Sequence, residues 1–98
     1  MLTRTLASEV APKGVRGNAI APGYIVTPFV APRFTKEDGT IDEEKKAQIL
    51  AERAAGTPLR ITGSPRDIAL AALYLASDAS SFMTGQIIRS NGGVSMPG

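Results

Sequence analysis

The stretch that most constrains the fold of this chain is VRGNAIAPGYIVTP, residues 15–28. Val15, Ile20 and the small residues between them are typical of a strand that is covered on both faces, as in a parallel sheet. Pro22 lacks an amide donor for a sheet, and Gly23 can adopt backbone angles that other residues avoid. The sequence therefore predicts a buried strand that ends in a sharp turn at Pro22-Gly23.

The turn after this strand is a candidate ligand site. Ligands of open α/β sheets bind outside the carboxyl ends of the strands. With the strand over residues 15–21, the backbone groups of Ile25 and Val26 and the hydroxyl of Thr27 would lie at that end. A strand that ends in a Pro-Gly turn and binds nothing is the alternative that spacing alone leaves open.

A helix and a second strand complete the predicted sheet. Ser64 suits a helix cap, and Pro65 suits the first helical position. The residues that follow are apolar on every face, so the predicted helix over residues 65–77 should be buried on more than one side. Strands 15–21 and 86–90 are then predicted to lie side by side and parallel, joined by a right-handed crossover through this helix.

Two further helices are predicted from periodicity and capping signals. An apolar residue at every fourth position predicts a helix over residues 2–14 that ends at Pro-Lys-Gly. Thr40 and Glu43 form a capping-box pattern before a helix over residues 42–55. The apolar stripe of this second helix is thin, so it would dock lightly and could move. A solvated helix on a long loop is the alternative.

The composition excludes several classes of function. The chain has 98 residues, enough for one small domain, and it contains neither cysteine nor histidine. Disulfides, thiol chemistry and the commonest metal ligand are therefore absent. The formal net charge of +2 comes without a basic cluster, so nucleic acid is not an expected partner. Because the commonest metal ligand is missing, we expect no bound metal. We expect a cytoplasmic protein, because the sequence shows neither a signal peptide nor an apolar run that could span a membrane.

Two long segments resemble a known family. They are LTRTLASEVAPKGVRGNAIAPGYIVTP at residues 2–28 and TPLRITGSPRDIALAALYLASDASSFMTGQIIRSNGG at residues 57–93. In order and spacing they are similar to the C-terminal part of the short-chain dehydrogenase/reductases, most of all to the branch of hydroxysteroid, sugar-alcohol and 3-oxoacyl-carrier-protein reductases. The resemblance implies an α/β fold: the C-terminal part of a doubly wound, Rossmann-like parallel sheet, with two parallel strands and about four helices. It implies a single domain over residues 1–98, in which residues 28–57 form a variable substrate lid.

The resemblance also defines what these residues lack. The family has a Gly-rich TGxxxGxG turn, an Asn, a catalytic Ser and a YxxxK pair. Tyr24 is followed four positions later by Pro28, and Tyr74 by Asp78. The resemblance therefore implies a fragment of an NAD(P)-dependent oxidoreductase that transfers hydride between its cofactor and a small alcohol or ketone. No catalytic residue is assigned to this chain, which is expected to be inactive alone, and the acidic cluster at residues 38–44 is expected to be solvated.

The resemblance assigns four cofactor contacts to the turn after the first strand. In the family the APG stretch forms one wall of the nicotinamide pocket, and the residue two after the glycine holds the carboxamide with its backbone. The next threonine contacts the carboxamide or the pyrophosphate. These positions are Pro22, Gly23, Ile25 and Thr27 here. A turn-stabilising hydroxyl is the alternative for Thr27. The cofactor of the parent enzyme is NAD or NADP, and tight binding by this chain alone is not expected.

Self-association is the expected partnership. An unpaired strand of the buried type is a template for another chain, and symmetric dimers are the commonest result. We therefore expect a homo-oligomer that uses helix 65–77 and the exposed sheet edges, with no membrane as a partner. A non-catalytic, self-associating module derived from this fold is the alternative to an oxidoreductase fragment.

Overall fold

The computed structural model describes residues 1–27 and 30–95 and shows an α/β chain. Its two strands pair in parallel, with Ala19 opposite Ile87. The fold class predicted from the sequence is confirmed. The elements in chain order are helix α1 (Leu2–Val10), strand β1 (Ala19–Pro22), helix α2 (Glu43–Ala55), helix α3 (Pro65–Ala76) and strand β2 (Ile87–Ser90), with short 3₁₀ turns at Ala11–Lys13, Ala31–Phe34 and Asp78–Ser80.

The described chain divides into two compact units, and a single domain over residues 1–98 stays a prediction. Each unit has one buried hydrophobic side chain among the described residues, Ala7 in one and Phe34 in the other. The units are Met1–Pro22 with Arg66–Ser90, which holds both strands, and Gly23–Pro65 with Asn91–Gly98, which holds α2.

Strand β1 is shorter than predicted, because it begins at Ala19 and not at Val15. Val15 is 51% exposed, so the expected burial on both faces is wrong at this position. The reason lies in the side chain of Asn18, whose amide oxygen accepts the Gln86 N–H at 3.0 Å. The Asn18 side chain therefore takes the place of a backbone hydrogen bond between the strands. Backbone pairing begins at the next residue, where the Ala19 N–H donates to the Gln86 carbonyl at 2.9 Å.

Helix α1 ends close to the predicted position. Its α-helical part stops at Val10, and a 3₁₀ turn continues to Lys13. Gly14 then adopts a left-handed φ of +75° and donates its N–H to the Ala11 carbonyl at 2.9 Å. A side chain at this φ would be strained, so glycine is the residue that allows the chain to leave the helix here.

Helix α2 is capped by Asp42 and not by Thr40, which corrects the predicted capping box. The Asp42 carboxylate accepts the Lys45 N–H at 3.0 Å. Thr40 does not cap the helix because its hydroxyl donates to the Asp38 carboxylate at 2.6 Å and its N–H donates to the same oxygen at 2.9 Å. The hydroxyl bond is the largest cause that holds the pKa of Asp38 below its usual value.

The carboxyl end of α3 is held by the guanidinium group of Arg16. One terminal nitrogen donates to the Ser80 carbonyl and to the Ser80 hydroxyl, each at 2.9 Å. The other donates to the Leu75 carbonyl at 3.1 Å and to the Ser77 carbonyl at 3.3 Å. Carbonyls at a helix end lack partners within the helix, and a cation there also meets the negative end of the helix dipole. One side chain therefore ties the end of α3 to the segment before β1.

Helix α3 has no buried residue in the single chain, although nearly every position is apolar. Leu70, Leu73 and Tyr74 are 48%, 64% and 43% exposed. A chain of this size buries only a modest share of its apolar surface. The predicted burial on more than one side of this helix therefore needs a surface that the described residues do not supply.

Candidate functional site

The residues predicted to contact a cofactor follow one another at the end of β1. Pro22 is the last residue of this strand, opposite Ser90, and belongs to the first unit. Gly23, Ile25 and Thr27 belong to the second unit. Three of the four predicted contacts therefore lie in one compact part of the chain.

Gly23 is a glycine for reasons of space. A Cβ atom at this position would lie 2.7 Å from the Cα and 2.8 Å from the Cβ of Asn91, far inside contact distance. Gly23 is not among the glycines with a positive φ, so the expected special backbone angle is not the reason. Asn91 is itself fixed, since its side-chain oxygen accepts the Gly93 N–H at 2.9 Å. The turn after β1 is therefore packed directly against the segment after β2.

Ile25 presents a free donor and a free acceptor on one side of the backbone. It forms an isolated parallel bridge with Gly63, in which the Gly63 N–H donates to the Tyr24 carbonyl at 3.0 Å. The Gly63 carbonyl accepts the Val26 N–H at 3.1 Å. Because successive residues of an extended chain point to opposite sides, the N–H and C=O of Ile25 point away from Gly63. Within the described residues neither group has a hydrogen-bond partner.

Thr27 leaves its hydroxyl unused within the described part of the chain. The Thr27 carbonyl accepts the Val30 N–H at 3.1 Å. The role of the Thr27 hydroxyl as a cofactor contact stays a prediction, as does the alternative of a turn-stabilising hydroxyl. Pro28 and Phe29, the first residues of the predicted lid segment 28–57, lie outside the described residues.

Thr57 is buried beside the segment that follows β2, and it was not singled out from the sequence. It is 8% exposed, and its hydroxyl lies 3.0 Å from the Ala54 carbonyl and accepts the Ile61 N–H at 3.2 Å. The Leu59 N–H donates to the Gly92 carbonyl at 3.0 Å. A Cβ on Gly92 would lie 3.4 Å from the Cβ of Thr57, which is close contact. The only signal in the sequence was a threonine between a glycine and a proline, which is also typical of exposed turns.

The acidic residues do not form a reactive cluster. Asp38, Glu43 and Glu44 are exposed, and Asp42 caps α2. No group of three or more acidic residues that could hold a metal ion occurs among the described residues. Hydrogen bonds from Thr40 lower the pKa of Asp38, so this carboxyl group is ionised at neutral pH and is not suited to donate a proton. None of the helices in the described residues has the length and apolarity to cross a membrane.

Known proteins match this chain along almost its whole length. The sequence model of the family described as enoyl-(acyl carrier protein) reductase matches residues 1–95. The 3beta-hydroxysteroid dehydrogenase 1 of Eggerthella lenta is 41% identical over 96 residues, which are 98% of this chain and 33% of that protein. The chain thus spans about a third of the length of the curated relatives that it matches.

Solved structures of similar proteins agree with the fold. An NADPH-bound short chain oxidoreductase from Pseudomonas aeruginosa PAO1, described as containing an atypical catalytic center, superposes with a TM-score of 0.81 at 37% identity, over 99% of this chain and 35% of that one. The 2-keto-3-deoxy-D-gluconate dehydrogenase from Streptococcus agalactiae gives a TM-score of 0.73 at 38% identity, over 96% and 34%. On the sequence match and the shared fold together, the chain belongs to the short-chain dehydrogenase/reductase family.

Proposed function

We propose that residues 1–98 form the nicotinamide-side wall of the cofactor pocket in an NAD(P)-dependent short-chain dehydrogenase/reductase. The parent enzyme transfers hydride between its cofactor and a small alcohol or ketone. The similar proteins described above include a hydroxysteroid dehydrogenase, a dehydrogenase of a keto-deoxy sugar acid and a protein with NADPH bound, which supports this class of reaction. Residues 1–98 contain no YxxxK pair and no Gly-rich TGxxxGxG turn, so we propose that they do not catalyse the reaction by themselves.

The free N–H and C=O of Ile25 carry this proposal. A carboxamide has an acceptor oxygen beside an NH₂ group that donates, and a single extended residue offers a matching N–H and C=O on one side. The Ile25 N–H would donate to the carboxamide oxygen, and the Ile25 carbonyl would accept from the carboxamide nitrogen. The Thr27 hydroxyl lies two residues further along and has no partner in the described chain. When bound, the nicotinamide supplies the hydride chemistry, and these residues only bind and orient the ring.

We expect weak but saturable binding of NADPH or NADH, detected as shifts of the Ile25 and Val26 amide signals in a titration followed by NMR. Ile25→Pro removes only the N–H that points away from Gly63, so both bridge hydrogen bonds of its neighbours can persist while binding is lost. Thr27→Ala should weaken binding about five- to tenfold, the loss of one hydrogen bond.

The matched control is Ile25→Ala, which keeps the backbone donor and acceptor. It should bind the cofactor within about twofold of the unchanged chain, since the proposed contacts come from the backbone. If Ile25→Ala and Ile25→Pro lose binding equally, the side chain and not the backbone holds the ligand. If neither cofactor shifts these signals at millimolar concentration, the proposed pocket does not exist in this chain.

Self-association is a second candidate function, and the exposed face of α3 favours it. Leu70, Leu73 and Tyr74 expose apolar surface, which monomeric proteins rarely present as a continuous patch. One edge of β1 is paired with β2, where the Ala19 N–H donates to the Gln86 carbonyl. The backbone N–H and C=O of Ile20 point to the opposite edge, which pairs with no other strand among the described residues. Both features would be covered by a second copy of the chain in a symmetric dimer.

Sedimentation equilibrium over a dilution series tests this association. We expect a mass above that of one chain that falls on dilution, and Leu73→Arg should shift the midpoint to at least about tenfold higher protein concentration, because it places a charge in the apolar contact. Leu59→Arg is the matched control, since Leu59 is equally exposed at 65% but lies outside α3. A single-chain mass at every concentration would contradict the association.

A further inference from the structure

The turn after β2 is built on an Asn-Gly step. Gly92 and Gly93 have φ values of +66° and +93°, and the Val94 N–H donates to the Asn91 carbonyl at 3.3 Å, as in a type I′ turn. The Asn91 side chain folds back over this turn, because its oxygen accepts the Gly93 N–H at 2.9 Å. The Cγ atom of Asn91 is therefore held near the peptide bond that joins Asn91 to Gly92.

The backbone nitrogen of Gly92 is available for reaction. Its N–H makes no hydrogen bond within the residues that the structure describes. An amide N–H outside a hydrogen bond loses its proton to hydroxide most readily, which is also the step that hydrogen exchange reports. Gly92 has no side chain to hinder its nitrogen. The Gly93 N–H, which bonds the Asn91 side-chain oxygen, would stabilise negative charge on that oxygen during an attack at Cγ.

Asn18, the other asparagine of the chain, is held in the opposite way. The nitrogen that follows it belongs to Ala19, whose N–H donates to the Gln86 carbonyl at 2.9 Å and whose methyl group hinders an approach. The Asn18 amide group is also bonded at both ends, to the Gln86 N–H at 3.0 Å and the Met83 carbonyl at 3.0 Å. Asn18 is therefore an internal control for the reactivity of Asn91.

We propose that Asn91 is a site of self-modification, which converts to aspartate and isoaspartate in the folded chain. The Gly92 N–H gives its proton to hydroxide, and the nitrogen forms a bond to Cγ of Asn91. The Cγ–Nδ2 bond breaks, and Nδ2 takes up a proton and leaves as ammonia, so that a cyclic succinimide remains. One water molecule then opens the ring at either carbonyl and leaves a carboxylate. The reaction consumes one water and releases one ammonia, and it needs no other reactant.

The isoaspartate product would displace the turn after β1. Ring opening at the backbone carbonyl inserts the side-chain methylene into the main chain between residues 91 and 92. The packing leaves no room for this change, because a Cβ on Gly23 would already lie 2.7 Å from the Asn91 Cα. The Gly92 carbonyl, which accepts the Leu59 N–H at 3.0 Å, would also have to move. A lasting effect on cofactor binding at Ile25 rests on the proposed function, whereas the modification itself does not.

The test incubates the 98-residue chain at mildly alkaline pH in water enriched in heavy oxygen, followed by peptide mapping in ordinary water. Trypsin cleaves after Arg16 and Arg89, so the two asparagines lie on separate peptides. We expect residue 91 to gain one heavy oxygen at least about tenfold faster than Asn18, whose neighbouring nitrogen is freed only when the strands open. An isoaspartate methyltransferase should label the same peptide. In urea, residue 91 should react at a comparable rate.

Two results would overturn the modification: equal rates at the two asparagines in the folded chain, or a reaction at residue 91 that occurs only in urea, which means that the turn protects it. The effect on the turn is read from the NADPH response at Ile25, which should fall in proportion to the isoaspartate fraction. Fresh Asn91→Asp is the matched variant, because it adds the charge without lengthening the backbone and should keep the response. An unchanged response in the isoaspartate chain refutes the displacement. No NADPH response in the fresh chain refutes only the proposed function, and the mass measurement still decides on the modification.

Discussion

Gly23→Ala is expected to lower the free energy of unfolding by about 1–3 kcal/mol, the range for an added methyl group where there is no room. The new Cβ would lie 2.7 Å from the Cα of Asn91. Because that neighbour is backbone, relief requires one of the two segments to move. Urea unfolding followed by circular dichroism measures the stability, and the same movement should abolish the NADPH response at Ile25.

The matched control for this substitution is Gly56→Ala. Gly56 has a φ of −81°, and a Cβ there would lie 3.5 Å from the nearest atom, the Arg53 carbonyl oxygen. Alanine fits this position without strain, so its stability should be unchanged or raised by up to about 1 kcal/mol through a smaller entropy loss on folding. Equal loss of stability in both variants would mean that the close approach of Gly23 to Asn91 is not what matters.

Arg16→Gln is expected to cost about 3 kcal/mol, because several helix-end carbonyls lose charged hydrogen bonds at once. The carbonyls concerned belong to Leu75, Ser77 and Ser80. Glutamine can replace one of these bonds at most. Urea unfolding gives the total loss, and Arg16→Lys, which keeps the charge without the planar fork, should recover only part of it.

Hydrogen exchange separates this role of Arg16 from a general loss of charge. The amides of Ser81 and Met83 are bonded inside the turn after α3, and in Arg16→Gln they should exchange faster than the rest of the chain. Arg4→Gln removes the same charge from the exposed surface of α1 and should cost less than about 0.5 kcal/mol. A similar loss in Arg4→Gln and Arg16→Gln would contradict the bracing role.

The secondary structure was predictable wherever local chemistry decides it. The 65–77 helix and the second strand were each placed within about one residue, because proline, glycine and apolar spacing act locally. The start of β1 was misplaced because the Asn18 side chain substitutes for a sheet bond. The cap of α2 was misassigned because Thr40 is already bonded to Asp38. In both cases a side chain had two possible partners, and only the three-dimensional arrangement selects one.

The position of the candidate site stays a prediction from the family resemblance, and the contacts around it were not predictable from the sequence. Resemblance to the family pointed to Ile25, yet its free donor and acceptor depend on a bridge to Gly63 far along the chain. The contacts of Arg16 with Ser80 span 64 positions, and no local pattern indicates them. The same holds for the contact between Arg53 and Tyr24. Long-range contacts of this kind are decided by tertiary packing, which periodicity does not report.

The scarcity of buried hydrophobic side chains bears on how this chain responds to heat. Among the described residues only Ala7 and Phe34 are buried and hydrophobic. Unfolding would therefore expose less new apolar surface than is usual, and the heat-capacity change should fall below the roughly 1.2–1.5 kcal/mol/K usual for about 100 residues. The stability curve would be shallow, so calorimetry of the isolated chain should record a broad transition of low enthalpy that sharpens when a partner surface covers the apolar face of α3.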